Sequence, residues 1–181
     1  MRVFLLTFIF LFGHLQAKST EAFIEDFKDK KFSNVCQEGL EYYYGGRQDE
    51  MFVTLVGIAC ANVDNINPLG TIQAKLVSTK EARENASYFT SLLLAKRLIY
   101  QFMIDDISLK HLQLPKSNHI LSFVFEHLSS GDFVYLSKDP KMIKIDDENK
   151  SVLISVSDDE VKKVLIDEYE GSTLKKRHWF Q

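Results

Sequence analysis

The sequence predicts an α+β fold. Five to six N-terminal helices, two of them a disulfide-linked αα-hairpin, are followed by a small antiparallel β-meander packed on the helices. Three observations lead there. Apolar residues recur at helical spacing up to about Gly131 and alternate with period two after it. No linker rich in Gly, Pro or Ser divides the chain, whose 181 residues hold only 8 Gly and 3 Pro. The two cysteines, Cys36 and Cys60, fall on the buried stripes of consecutive predicted helices. With 45% apolar and 26% charged residues, the chain is neither a disordered tail nor a low-complexity polymer.

The opening stretch, residues 1–17, has one basic residue (Arg2) and an apolar run from Val3 to Phe12, broken by Gly13 and His14. A membrane-spanning helix needs about 20 apolar residues, so this run suits the core of a secretory signal, with Ala17 the last residue removed. An uncleaved anchor and a buried N-terminal helix are the alternatives. Residues 18–131 then form the helical region and 132–181 the meander, expected as one compact unit. The formal net charge of −3 argues against a nucleic-acid partner. After the leader, the longest apolar stretch, Ser91 to Ile104, contains Lys96 and Arg97, so no membrane span is expected.

The helices are expected in this order. Thr20 to Lys30 is a short amphipathic piece carrying Phe23, Ile24 and Phe27 on one side. Phe32 to Tyr44 has a stripe of Phe32, Val35, Cys36, Gly39, Leu40 and Tyr43, ended by Gly45-Gly46. Asp49 caps the next helix, with Phe52, Leu55, Val56, Ala59, Cys60 and Val63 on its apolar side. Asn67-Pro68 opens a short helix burying Leu69, Ile72 and Leu76. Ser78 and Glu81 form a capping-box pattern for a long helix reaching Ile104, with Arg83, Ser87, Thr90, Arg97 and Gln101 on its polar face. After Pro115, a last helix from Asn118 to Ser129 buries Leu121, Val124, Phe125 and Leu128.

Four strands are expected at Met142–Ile145, Ser151–Val156, Lys163–Tyr169 and Thr173–Phe180. The connections between them are short and rich in turn formers, which implies antiparallel hairpins. So small a meander needs a partner surface, and the helices supply one.

In an antiparallel helical hairpin, facing positions have a constant sum of residue numbers, because both helices rise by the same amount per residue. For Cys36 and Cys60 that sum is 96, which also pairs Gly39 with Gly57, Leu40 with Val56 and Tyr43 with Val53. The facing glycines would let the backbones approach to the separation of about 5.5 Å between Cα atoms that a disulfide requires. A bridge closing a loop of about 25 residues is expected to stabilise by about 2–4 kcal/mol. Two free buried thiols and a redox-active pair are the other readings, although the Cys-x-x-Cys spacing of redox sites is absent.

The residues Cys36-Gln-Glu-Gly39, Tyr43-Tyr44-Gly45 and Ala59-Cys60 carry a resemblance. Residues 33–64 resemble one unit of the disulfide-bridged, tetratricopeptide-like αα repeats of secreted cysteine-rich bacterial proteins. The resemblance implies the same Cys36–Cys60 bridge and a binding surface on the hairpin. Asp147-x-Asn149-x-Ser151 resembles the extended acceptor sequence of some bacterial N-glycosylation systems, which makes Asn149 a possible glycan site.

Catalytic candidates are few. Asp105-Asp106 with His111 offers carboxylates and a base. His119 and His127 are spaced too widely on their helix for a zinc pair, and no metal or cofactor is expected. No nucleophile elbow, phosphate loop or dinucleotide fingerprint occurs. Tyr42, Tyr44 and Arg47 are the candidate interaction surface, since Tyr43 belongs to the core stripe; the alternative places the tyrosines at the edge of the core. The basic end Lys175-Lys176-Arg177 faces Asp167 and Glu168 on the neighbouring predicted strand, which would neutralise it; the alternative is a site for an anionic partner.

The expectation is therefore an exported, periplasmic, non-catalytic interaction or scaffold protein acting on an envelope protein. The alternatives are an envelope hydrolase using Asp105, Asp106 and His111, and a glycan or small-ligand binder using exposed tyrosines and Trp179. The sequence assigns neither the partner's identity nor an oligomeric state.

Overall fold

Gly131 adopts the left-handed conformation (φ 90°) that ends the last helix, and every strand follows it. The computed structural model describes residues 18–147 and 150–181, so the expected leader and Asn149 lie outside the described residues. The helices are α1 (Thr20–Lys28), α2 (Phe32–Tyr44), α3 (Glu50–Asn62), α4 (Leu69–Ile72), α5 (Lys80–Ile104) and α6 (Ile120–Ser130), with a single 3₁₀ turn, Gln73–Lys75, after α4. The strands are β1 (Val134–Lys138), β2 (Lys141–Asp147), β3 (Lys150–Val156), β4 (Val164–Glu170) and β5 (Thr173–Phe180). They form one antiparallel sheet in the order β1-β2-β3-β4-β5. Among the described residues no helix is long and apolar enough to cross a membrane.

Side-chain oxygens start three of the helices. Ser19 accepts from the N–H of Ala22, Asp49 from Phe52 and Thr79 from Ala82. The cap of α5 is thus Thr79 and not Ser78. Ser78 is drawn away because its own N–H donates to the Glu50 carboxylate at 2.7 Å, beside that of Val77 at 2.6 Å. Asn67 likewise does not cap α4, because its Oδ1 accepts from the buried Lys96 ammonium. Lys96 is one of the two charges that argue against a membrane span in this stretch. Its charged end finds this single amide inside the helical region, and burial lowers its pKa.

Cys36 and Cys60 are bonded, with their Cα atoms 4.8 Å apart, and pin α2 to α3. The glycines do not face each other. A Cβ on Gly39 would lie 2.4 Å from Cγ2 of Val56, and one on Gly57 would lie 2.4 Å from the Phe89 ring of α5. The constant-sum rule fixes height along the hairpin but not the direction a side chain points, and one residue turns that direction by about 100°. Gly39 therefore admits α3, while Gly57 admits α5.

Buried residues from helices and strands join in one cluster. It holds Phe23, Phe52, Phe89 and Leu121 of the helices together with Ile143, Ile145, Val152, Ile154, Ile166 and Phe180 from the sheet's inner face. Strand β1 was not expected. Val134, Tyr135, Leu136 and Lys138 are all exposed at the sheet edge, so this segment has no alternation of inner and outer residues to read.

Candidate functional site

The residues most tightly grouped by charge lie where the end of α3 meets the last two strands. Asp64 follows the C-cap of α3 in a left-handed conformation (φ 62°), which aims its carboxylate at the sheet. Its Oδ2 accepts from His178 Nδ1 at 2.8 Å and pairs with Lys176 Nζ at 3.2 Å. The other ring nitrogen of His178, Nε2, donates to Glu168 Oε1 at 2.6 Å. The His178 ring is thus buried between two carboxylates, one at each nitrogen. Glu168 also pairs with Lys150 at 3.5 Å, and that ammonium lies 3.7 Å from the centre of the Phe123 ring.

The fourth wall is His119, the N-cap of α6. Its Nδ1 accepts from the N–H of Leu121 at 3.2 Å, so the proton sits on Nε2, which donates to the carbonyl of Ala61 at 3.1 Å. Asp64 Oδ1 stands 3.6 Å from that nitrogen and accepts no hydrogen bond. Burial raises the pKa of Asp64, but the His178 hydrogen bond and the charges of His178 and Lys176 outweigh it and hold the carboxyl below its usual value. Burial pushes His119 below the usual imidazole range, against the smaller opposing pulls of the Ala61 carbonyl and Asp64.

This cluster is a bolt between layers. Both nitrogens of His178 are occupied by carboxylates of the chain itself, which leaves its imidazole no free lone pair to act as a base. Among the described residues, no group of three or more His, Cys, Asp or Glu is placed to hold a metal ion. Sequence reasoning missed the cluster because its members lie far apart in the chain. The inward alternation of Lys176, His178 and Phe180 on β5 was its one visible trace.

The interaction candidates on the hairpin separate. Tyr42 is half-buried; its hydroxyl accepts from the Lys18 N–H at 2.7 Å and its ring meets Phe23 edge-on at 5.5 Å. Arg47 lies 3.9 Å over the Phe52 ring and reaches Thr20 and Asp49, so it locks α1 to the hairpin turn. Only Tyr44 is open, at 65% exposure, with Met51 exposed on the facing helix.

The expected convergence of Asp105, Asp106 and His111 does not occur. All three are exposed. Asp106 pairs with Lys141 in a depression beside Pro140, whereas His111 borders a different one with Lys116, Phe125 and Glu126. Backbone at both Asp106 (φ 57°) and His111 (φ 69°) turns through the left-handed region, which breaks the helix and splays the side chains. Tyr44 and Trp179 sit on different elements, the hairpin and β5.

The outer face of the sheet remains open. There Leu136, Lys144, Leu153 and Tyr169 surround a depression of about 570 Å³, with Asp146 and Ser151 at its side. Further along this face, Asp167 holds Arg177 through two hydrogen bonds of 2.7 Å, which meets the cross-strand expectation. Trp179 stands 57% exposed beside them.

No family model, no curated protein and no solved structure matches the chain. The likeness of residues 33–64 to a tetratricopeptide-like unit therefore rests on those residues alone.

Proposed function

We propose that this is an exported, extracytoplasmic interaction protein, without catalytic chemistry, that docks an envelope protein on the outer face of its sheet. The observation that carries this reading is the open amphipathic face around Leu136, Lys144, Leu153 and Tyr169. Apolar side chains left uncovered beside charged ones suit a contact that is apolar at its centre and polar at its rim. The Cys36–Cys60 bond supports export, because disulfides persist in oxidising compartments. Removal of residues 1–17 by a leader peptidase completes the reading.

A photo-crosslinking residue placed at position 153 or 136 tests it, with one at the exposed Arg83 of α5 as control. In intact cells, one discrete adduct from 153 and 136, absent from 83, is the expected result. The same adducts from all three positions, or none at all, would remove the docking face.

A further inference from the structure

Residue 18 is held at both ends before any partner is considered. Its backbone nitrogen donates to the Tyr42 hydroxyl at 2.7 Å. Its side-chain ammonium reaches Asp26 at 2.5 Å and Glu38 at 2.7 Å, and lies 4.7 Å from the centre of the Phe23 ring. One residue thus bridges α1, which supplies Asp26 and Phe23, and α2, which supplies Glu38 and Tyr42. The two carboxylates and the ring raise an ordinary surface lysine to a fixed one, with only 23% of its side chain exposed.

We propose that Tyr42, Asp26 and Glu38 form a seat for the mature amino terminus, created when the Ala17–Lys18 bond is hydrolysed. The inference rests on the reading that the leader is removed and goes further, because it gives the cut end a structural task. In the hydrolysis, water adds its oxygen to the Ala17 carbonyl carbon and the C–N bond breaks. Ala17 departs with the leader as a carboxylate, and the Lys18 nitrogen takes up protons to become an ammonium. That nitrogen already points at the Tyr42 oxygen, which has a lone pair for it. A positive charge at the start of α1 is disfavoured by the helix dipole. Glu21 in the first turn offsets that repulsion, while Asp26 and Glu38 hold the side-chain ammonium of the same residue in place. The chemistry also explains why Tyr42 is turned inward while Tyr44 is exposed: the Tyr42 hydroxyl has a partner and its ring has Phe23.

The test uses the exported protein. Intact mass fixes its first residue, and acetylation by an amine-reactive ester at neutral pH is then followed site by site. A protein starting at Lys18 is expected to react at that terminal amine about tenfold more slowly than its Tyr42→Phe variant, which keeps the ring and loses the acceptor. Glu38→Gln is expected to speed acetylation of the Lys18 side chain. A chain made to start at Ser19 is expected to melt at a lower temperature than one starting at Lys18. Equal acetylation rates in all forms, or equal melting of the two starts, would overturn the seat while leaving leader removal intact. A first residue other than Lys18 would overturn both the seat and cleavage after Ala17.

Discussion

His178 donates to the Asp64 carboxylate at 2.8 Å across 114 residues of chain. That bond fastens β5 to the end of α3, with Glu168 holding the ring's other nitrogen. Breaking one side of a buried pair leaves the other charge without compensation. Asp64→Asn keeps a residue that tolerates the left-handed backbone and removes only the charge. It is expected to destabilise by about 3–5 kcal/mol in urea unfolding followed by circular dichroism. Asp64→Asn combined with His178→Phe should lose less than the sum of the two single changes. An additive double variant would show that the two side chains do not act together.

Acid is expected to weaken the protein in two steps. The folded-state pKa values of His119 and Asp64 lie below their unfolded values, so the unfolded chain binds more protons and stability falls as pH falls. The His119 contribution is present above its unfolded pKa of about 6.5 and is lost as pH drops through its lower folded value; that of Asp64 is lost likewise from about 3.9 downward. The His119 step is read as the difference in urea midpoint between the wild type and His119→Asn from pH 7.5 to 5. It is expected to shrink as the solution is acidified. A constant difference would contradict burial of a neutral His119.

Reduction of Cys36–Cys60, or Cys36→Ser with Cys60→Ser, is expected to cost about 2–4 kcal/mol in urea unfolding. The bond lies in the core, so the serine pair adds the burial of two hydroxyls to the loss of the cross-link. Unchanged midpoints with and without reductant would show that packing alone holds α2 against α3.

Two glycines on different helices should respond with opposite signs. Gly57→Ala puts a methyl group 2.4 Å from the Phe89 ring and is expected to destabilise by about 1–3 kcal/mol. Gly57→Ala with Phe89→Leu should recover part of that loss. Gly70→Ala meets only Leu93, at 3.8 Å, in a helical position and is expected to stabilise by about 0.4–1 kcal/mol. Thermal melts of the three variants check all of this.

The periodic parts of this fold were legible in the residues. The spans of α2 and β5, the Asp49 cap and the Arg177–Asp167 pair each follow from local pattern. Three features were hidden for physical reasons. Edge strand β1 buries no alternate residues, so period two vanishes there. Choices between adjacent capping residues depend on distant groups: Glu50 claims Ser78, and Lys96 claims Asn67. The Asp64–His178–Glu168 cluster joins positions that no short-range pattern connects. The candidate surface on the hairpin failed in part for the same reason, since Arg47 and Tyr42 are taken up by Thr20, Phe52 and Lys18.

The strands lie in the sheet in the order in which they occur in the chain, and the residue that bolts them down lies in the last of them, β5. A chain threaded amino end first through a secretion pore would deliver the cross-linked hairpin early and His178 only after the other four strands. Fastening of the two layers would then wait for β5 to arrive, and a product cut short before His178 would emerge oxidised yet unlatched.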